Sequence, residues 1–168
     1  MSAALKSNTQ SANTQSPDTR AIVVDEVFPH KAEVIWKAIT TGDLIGRWMM
    51  KPNGFEPVKG NRFTFQTTPA GAWDGTIRCE VLEVLPLQRF AYAWRGGDEG
   101  NVGYGSKLDT LVTFTLTSVQ TGTRLRVEHS GFVLPKNDTA YTNMGKGWVK
   151  CVENLGPVAE DLGTNEQD

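Results

Sequence analysis

At 168 residues and 18.4 kDa the chain suffices for one domain that buries roughly two thirds of the surface its unfolded form exposes, so no disulfide or metal staple is needed. Its 17 basic and 19 acidic side chains are mixed along the sequence and leave a formal net charge of -2, with no basic stripe to track phosphates; nucleic acid is not an expected partner. Cys79 and Cys151 fall in apolar patterns and read as buried thiols, and His30 and His129 form no ligand-spaced set with them, so neither a metal nor another cofactor is expected.

Residues 1–19 are rich in Ser, Thr, Asn and Gln, lack an apolar core for a signal peptide, and read as a disordered polar tail. Nowhere do about eighteen apolar residues run together, so no membrane span is expected and the cytoplasm is the default location. RAIVVDEVF, residues 20–28, is β-branched and stops at Pro29, as a first strand would. From Lys31 the spacing of Val34, Ile35, Ala38 and Ile39 predicts a short helix with Glu33 in its first turn. Gly42 interrupts it, and Thr41 and Asp43 open a second helix carrying Leu44, Ile45 and Trp48.

Alternation then takes over. Phe63 and Phe65, the GAWDG turn at 71–75, and Ile77, Cys79 and Val81 predict a hairpin. The apolar phase slips across EVLEVL (80–85), which predicts a bulge or strong bend. Phe90, Tyr92 and Trp94 line the next strand; Val112, Phe114 and Leu116 the one after; Leu125, Val127 and His129 the last, in an antiparallel meander. The connection GGDEGNVGYGSK (96–107) is too Gly-rich and polar to pack, and reads as a long flexible loop, a lid over 96–108 or mere slack. From about Thr139, Tyr141, Met144, Trp148, Val152, Leu155, Ala159 and Leu162 recur at helical spacing, with a kink expected near Pro157. Residues 20–162 thus form one α+β domain, a curved antiparallel sheet around a long C-terminal helix, with a short tail at 163–168.

Several segments carry a family resemblance: EVIWKAIT (33–40), LIGRWM (44–49), DGTIRCEVLEVLPLQRFAYAW (74–94), FTL (114–116), TRLRVEHSGF (123–132) and GWVKCVENL (147–155). Together they resemble the activator of heat-shock protein 90 ATPase homologue-like group, within the START-like, birch-pollen-allergen-like superfamily. The resemblance implies a helix-grip fold with an internal cavity. It does not imply one chemistry, since members include lipid and hormone carriers, aromatic-polyketide cyclases and proteins of unassigned function. In the chaperone activators themselves the matching domain accompanies a larger N-terminal domain, whereas a short polar tail stands here, so direct chaperone activation is not expected.

Period-two counting puts His129 on the inward face, where it is a core histidine satisfied by hydrogen bonds, a ligand contact or an acid–base group. Trp48, Phe65, Trp73, Tyr92, Trp94 and Phe132 offer aromatic faces for a flat apolar ligand or for ordinary core packing, and Met144 and Trp148 present the terminal helix to the same space. Trp48 and Trp73, beside turns, are placed at a cavity mouth that Met49, Met50 and Met144 would make adaptable, with Arg47 and Asp74 as its nearest charges. The expected function is binding of a hydrophobic small molecule. The alternatives are a cyclase- or dehydratase-like enzyme using His129 and Asp74, and a chaperone-cofactor or other protein-binding module. A homodimer is left open, because the first strand leaves a sheet edge free.

Overall fold

The computed structural model describes residues 18–167, with side chains to residue 164; the polar tail expected at the N-terminus lies, up to residue 17, outside the described residues. Strand β1 (Asp18–Phe28) leads into helices α1 (Ala32–Thr40) and α2 (Gly42–Trp48). Then come β2 (Arg62–Gln66), β3 (Thr76–Leu85), β4 (Arg89–Gly96), β5 (Leu108–Val119), β6 (Gly122–Leu134) and helix α3 (Asp138–Gln167). The strands form one antiparallel sheet in the order β1-β6-β5-β4-β3-β2, so the first strand closes against the last and β2 is the far edge. This is the α+β helix-grip arrangement, in which one face of a curved sheet holds the long helix.

The two short helices are joined by a side chain. Val34, Ile35, Ala38 and Ile39 bury the inner stripe of α1, while Glu33 in its first turn and Lys37 in its last complement the helix dipole. Trp48, at the end of α2, is 2 % exposed and donates its Nε1–H to the Ala38 carbonyl at 3.0 Å, tying the last turn of α1 to α2. A buried indole needs such an acceptor, so Trp48 belongs to the core and not to a mouth.

Two irregularities shape the sheet. The register between β3 and β4 shifts between Val81 and Glu83, which throws Leu82 outward and curves the sheet where the sequence slips phase. The second lies at Gly131, whose φ of +101° suits glycine, beside the β1–β6 shift between Arg20 and Ala21. This extra residue breaks the period-two count, so His129 and Phe132 both point inward with ring centroids 4.7 Å apart. Phe114 sits at the centre of the inner face, in edge contact with Trp48 and Trp148 and stacked on Phe90.

Helix α3 runs from Asp138 through Pro157 to Gln167, past the Leu162 at which the apolar spacing ends. Trp148, Val152, Leu155, Val158, Ala159 and Leu162 are its buried face. A Cβ placed on Gly145, Gly147 or Gly156 would meet nothing within 4 Å, so close packing does not require glycine at any of these helix-weakening positions. Each costs roughly 1 kcal/mol against alanine, and packing of the buried face holds the helix. The chain reaches it through Asn137, 2 % exposed, which accepts from Val133 N–H at 2.9 Å and donates to Ser106 Oγ at 3.0 Å and to the Lys107 carbonyl at 2.9 Å.

Candidate functional site

Between the sheet end of the β2–β3 hairpin, the 97–107 loop and the first turns of α3 lies a cavity of about 250 Å³. Ile77 of β3 and Trp94 of β4 form its sheet side, Met144, Trp148 and Cys151 its helix side, and Met49 and Met50 its border with α2. Trp73 and Tyr104 face it from the two loops, with ring centroids 6.0 Å apart. Among the described residues none that lines it carries a charge; Thr67, Ser106 and Asn143 are its polar side chains besides the tryptophan and tyrosine heads.

The Gly-rich loop, expected to be too polar to pack, is one wall. Its own backbone closes through Asp98 N–H to the Gly105 carbonyl at 2.9 Å and Ser106 N–H to the Gly103 carbonyl at 3.2 Å. Asn101 Nδ2 donates to the carbonyls of Ala70 and Gly105 at 2.8 and 3.0 Å, and Tyr104 Oη–H to the Thr68 carbonyl at 2.6 Å, so this loop is stitched to the β2–β3 connection. Glycine is what permits the tight fold: at Gly97, φ is +80° and a Cβ would stand 2.1 Å from the Ser106 carbonyl oxygen. Gly97→Ala is expected to lower stability by about 1–3 kcal/mol, because strain and clash fall on backbone that cannot yield cheaply. Urea midpoints of the two proteins measure it, and an unchanged midpoint would mean the loop contributes no ordered wall.

Of the residues expected at a cavity, Trp73, Trp94, Met144 and Trp148 line it. Phe65, Tyr92 and Phe132 lie in the packed core, as does Trp48: Phe65 sits 5.6 Å from Trp94, and Tyr92 is ringed by Phe63, Phe90 and Phe114. Burial pushes the Tyr92 phenol well above its usual pKa. Asp74 is exposed, accepts Thr76 N–H at 2.9 Å and is held below the usual carboxylate pKa chiefly by that bond; it borders a separate surface hollow. Arg47 is exposed and pairs with Asp161 at 2.8 Å across the α2–α3 seam. Neither charge stands at the cavity, because side chains on turns and outer helix faces reach water more cheaply than an apolar wall.

His129 is fully buried and both ring nitrogens are engaged. Trp148 Nε1–H donates to Nδ1 at 2.9 Å, which fixes the proton on Nε2; Nε2–H donates to Thr110 Oγ1 at 2.8 Å, and that hydroxyl donates to the Trp94 carbonyl at 2.8 Å. Desolvation pulls its pKa down to about 3, so the ring is neutral across the physiological range. An acid–base pair of His129 with Asp74 does not assemble: one is sealed beneath the sheet's inner layer, the other lies on a surface turn.

Loop residues Tyr104 and Ser106, helix residues Ala140 and Asn143, and Cys151 also line the cavity and were not singled out by sequence reasoning. A lone tyrosine between glycines in a polar loop was the available signal for the first. Cys79 and Cys151 are both free, and burial raises the Cys151 thiol to about 11, so it is a neutral wall group.

A curved antiparallel sheet gripping a long helix around an apolar cavity defines a START-like helix-grip protein. The chain belongs to the family of activator of Hsp90 ATPase homolog 1-like proteins, whose model matches residues 29–160. Protein MLL2253 from Mesorhizobium loti is similar to it with 36% identity and a TM-score of 0.72, over 84% of this chain and 98% of that one. CalU16 from Micromonospora echinospora shares the fold at 22% identity and a TM-score of 0.63, over 88% and 85% of the two chains. DynU16, of the dynemicin biosynthetic locus, shares it at 24% identity and a TM-score of 0.65, over 86% of this chain and 48% of its own. No curated protein matches the sequence. Among the described residues no helix is long and apolar enough to cross a membrane.

Proposed function

We propose that the protein binds a small hydrophobic molecule in the cavity between the 97–107 loop, the sheet and α3. The observation that carries this is a walled space of about 250 Å³ with three tryptophans and three methionines on its surface and no charge. Apolar concavity with a few placed polar groups is the usual form of a small-molecule site, but such sites span roughly 300–1,000 Å³ for drug-sized ligands. The walled space therefore takes a group of one- or two-ring size, and sterols or long-chain fatty acids exceed it.

With Trp73, Trp94 and Trp148 in the wall, binding is read directly by intrinsic fluorescence. One- and two-ring aromatics are expected to quench it saturably. At a hundred times the dissociation constant they add about 2.7 kcal/mol, which raises Tm by roughly 5–10 °C for a domain of this size. Cholesterol and palmitate run alongside are expected to give neither response. Absence of saturable quenching by every small aromatic would remove the proposal, and a response to the large lipids alone would put the ligand elsewhere on the molecule.

A further inference from the structure

The three cavity tryptophans differ in one respect. Trp73 Nε1–H is bonded to the Thr76 carbonyl at 2.9 Å and Trp148 Nε1–H to His129 Nδ1 at 2.9 Å. Trp94, 4 % exposed, has its Nε1 closed to solvent and finds no hydrogen-bond partner among the described residues. A buried donor left unpaired costs roughly 1–3 kcal/mol. The Trp94 ring is meanwhile held on three sides, against Phe65, His129 and Trp148, so it cannot easily swing its nitrogen to a carbonyl elsewhere.

We infer that the occupant of the cavity is a neutral, planar, ring-sized molecule carrying a hydrogen-bond acceptor that pairs with Trp94 Nε1–H. This rests on the binding reading above and adds the chemistry of the ligand. Neutrality follows from the wall: an anion or cation brought in would lose its water without meeting an opposite charge, at a cost no apolar contact of this size repays. An acceptor follows from the orphan donor, since a pure hydrocarbon would leave it unpaired and a ligand offering only a donor would oppose it. Because Nε1 is closed off, the acceptor reaches it by parting the wall. Met49, Met50 and Met144, unbranched side chains with three rotatable bonds each, line the same cavity as Trp94 and are its lining residues best suited to move aside.

Quinoline and naphthalene, matched in shape and both uncharged at pH 8, separate this inference from the binding reading; N-methylquinolinium and 2-naphthoate are the charged arms. Titrations by fluorescence, against the natural chain and Trp94→Phe, give the affinities. Quinoline is expected to bind the natural chain, to weaken about tenfold in Trp94→Phe, as loss of one hydrogen bond implies, and to move the Trp94 indole N–H resonance downfield. Naphthalene is expected to change less than twofold between the two proteins, which also shows that the variant's cavity is intact. Equal weakening of both probes, or an unmoved N–H resonance with quinoline bound, would reduce Trp94 to a packing residue and overturn the inference while leaving the cavity reading in place. Tightest binding by either charged probe would overturn neutrality. Failure of all four probes to bind the natural chain would overturn the cavity reading itself.

Discussion

Lowering the pH from above 7.5 to 5 is expected to cost the protein about 2 kcal/mol of stability through His129 alone. Its folded pKa is depressed to about 3, with desolvation as the cause, against 6.5 in the unfolded chain. Between these values the unfolded state binds the proton and the folded state does not, so unfolding is favoured as pH falls. The stability tied to the neutral ring is therefore fully present above the unfolded value and is lost progressively downward through the folded one. Its limit, from a separation of about 3.5 units at roughly 1.4 kcal/mol each, is about 5 kcal/mol, comparable to the entire stability of many domains. Urea midpoints at pH 7.5, 6.5, 5.5 and 5 measure the slope. His129→Gln, whose amide can accept from Trp148 and donate to Thr110, is expected to flatten it in this window, above the range where most carboxylates titrate. An equally steep slope in that variant would assign the acid sensitivity to other groups.

His129 also shows how far the sequence carries. Alternation after Leu125 and Val127 places it inward, and the structure agrees. Its chemistry is decided by Thr110 and Trp148, nineteen residues away on either side, and no local pattern reveals partners brought together by β5 and α3. The same limit governs the aromatics. Periodicity tells that Tyr92 and Trp94 share a face, but one is packed against three phenylalanines while the other borders a cavity, and that depends on summed side-chain volumes across the whole inner layer. The phase slip at EVLEVL is legible because a bulge must show as a break in alternation; the bulge at Gly131 is not, because only Phe132 and the half-buried Leu134 follow it on that face before the strand ends. The 96–108 connection reads in the sequence as a flexible loop, lid or slack, for a related reason. Its order comes from Asn101, Tyr104 and Asn137 bonding to carbonyls in other segments, a source of structure with no period at all.

Trp148 joins the cavity to this buried network, and truncating it is expected to be the most damaging single change at the site. Its indole packs on Phe114 and Trp94, lines the cavity and supplies the donor to His129 Nδ1. Trp148→Ala removes the packing and the bond together, so a loss of about 3–5 kcal/mol is expected for the cavity left behind, with a further contribution from the unpaired Nδ1. Trp148→Phe separates the two. It keeps most of the ring volume and is expected to cost about 1–3 kcal/mol. It also frees Nδ1 to take a proton, because in the natural chain protonation there would set two N–H groups against each other. Burial still opposes the charge in Trp148→Phe, but the folded pKa of His129 is expected to rise toward 6.5, so this variant starts less stable at pH 7.5 and loses less on acidification to pH 5. The two effects have opposite signs along the same titration, which distinguishes them from a general loosening of the core. If Trp148→Phe kept the natural acid slope, burial alone would set the state of His129, and the indole would act on the fold through packing only.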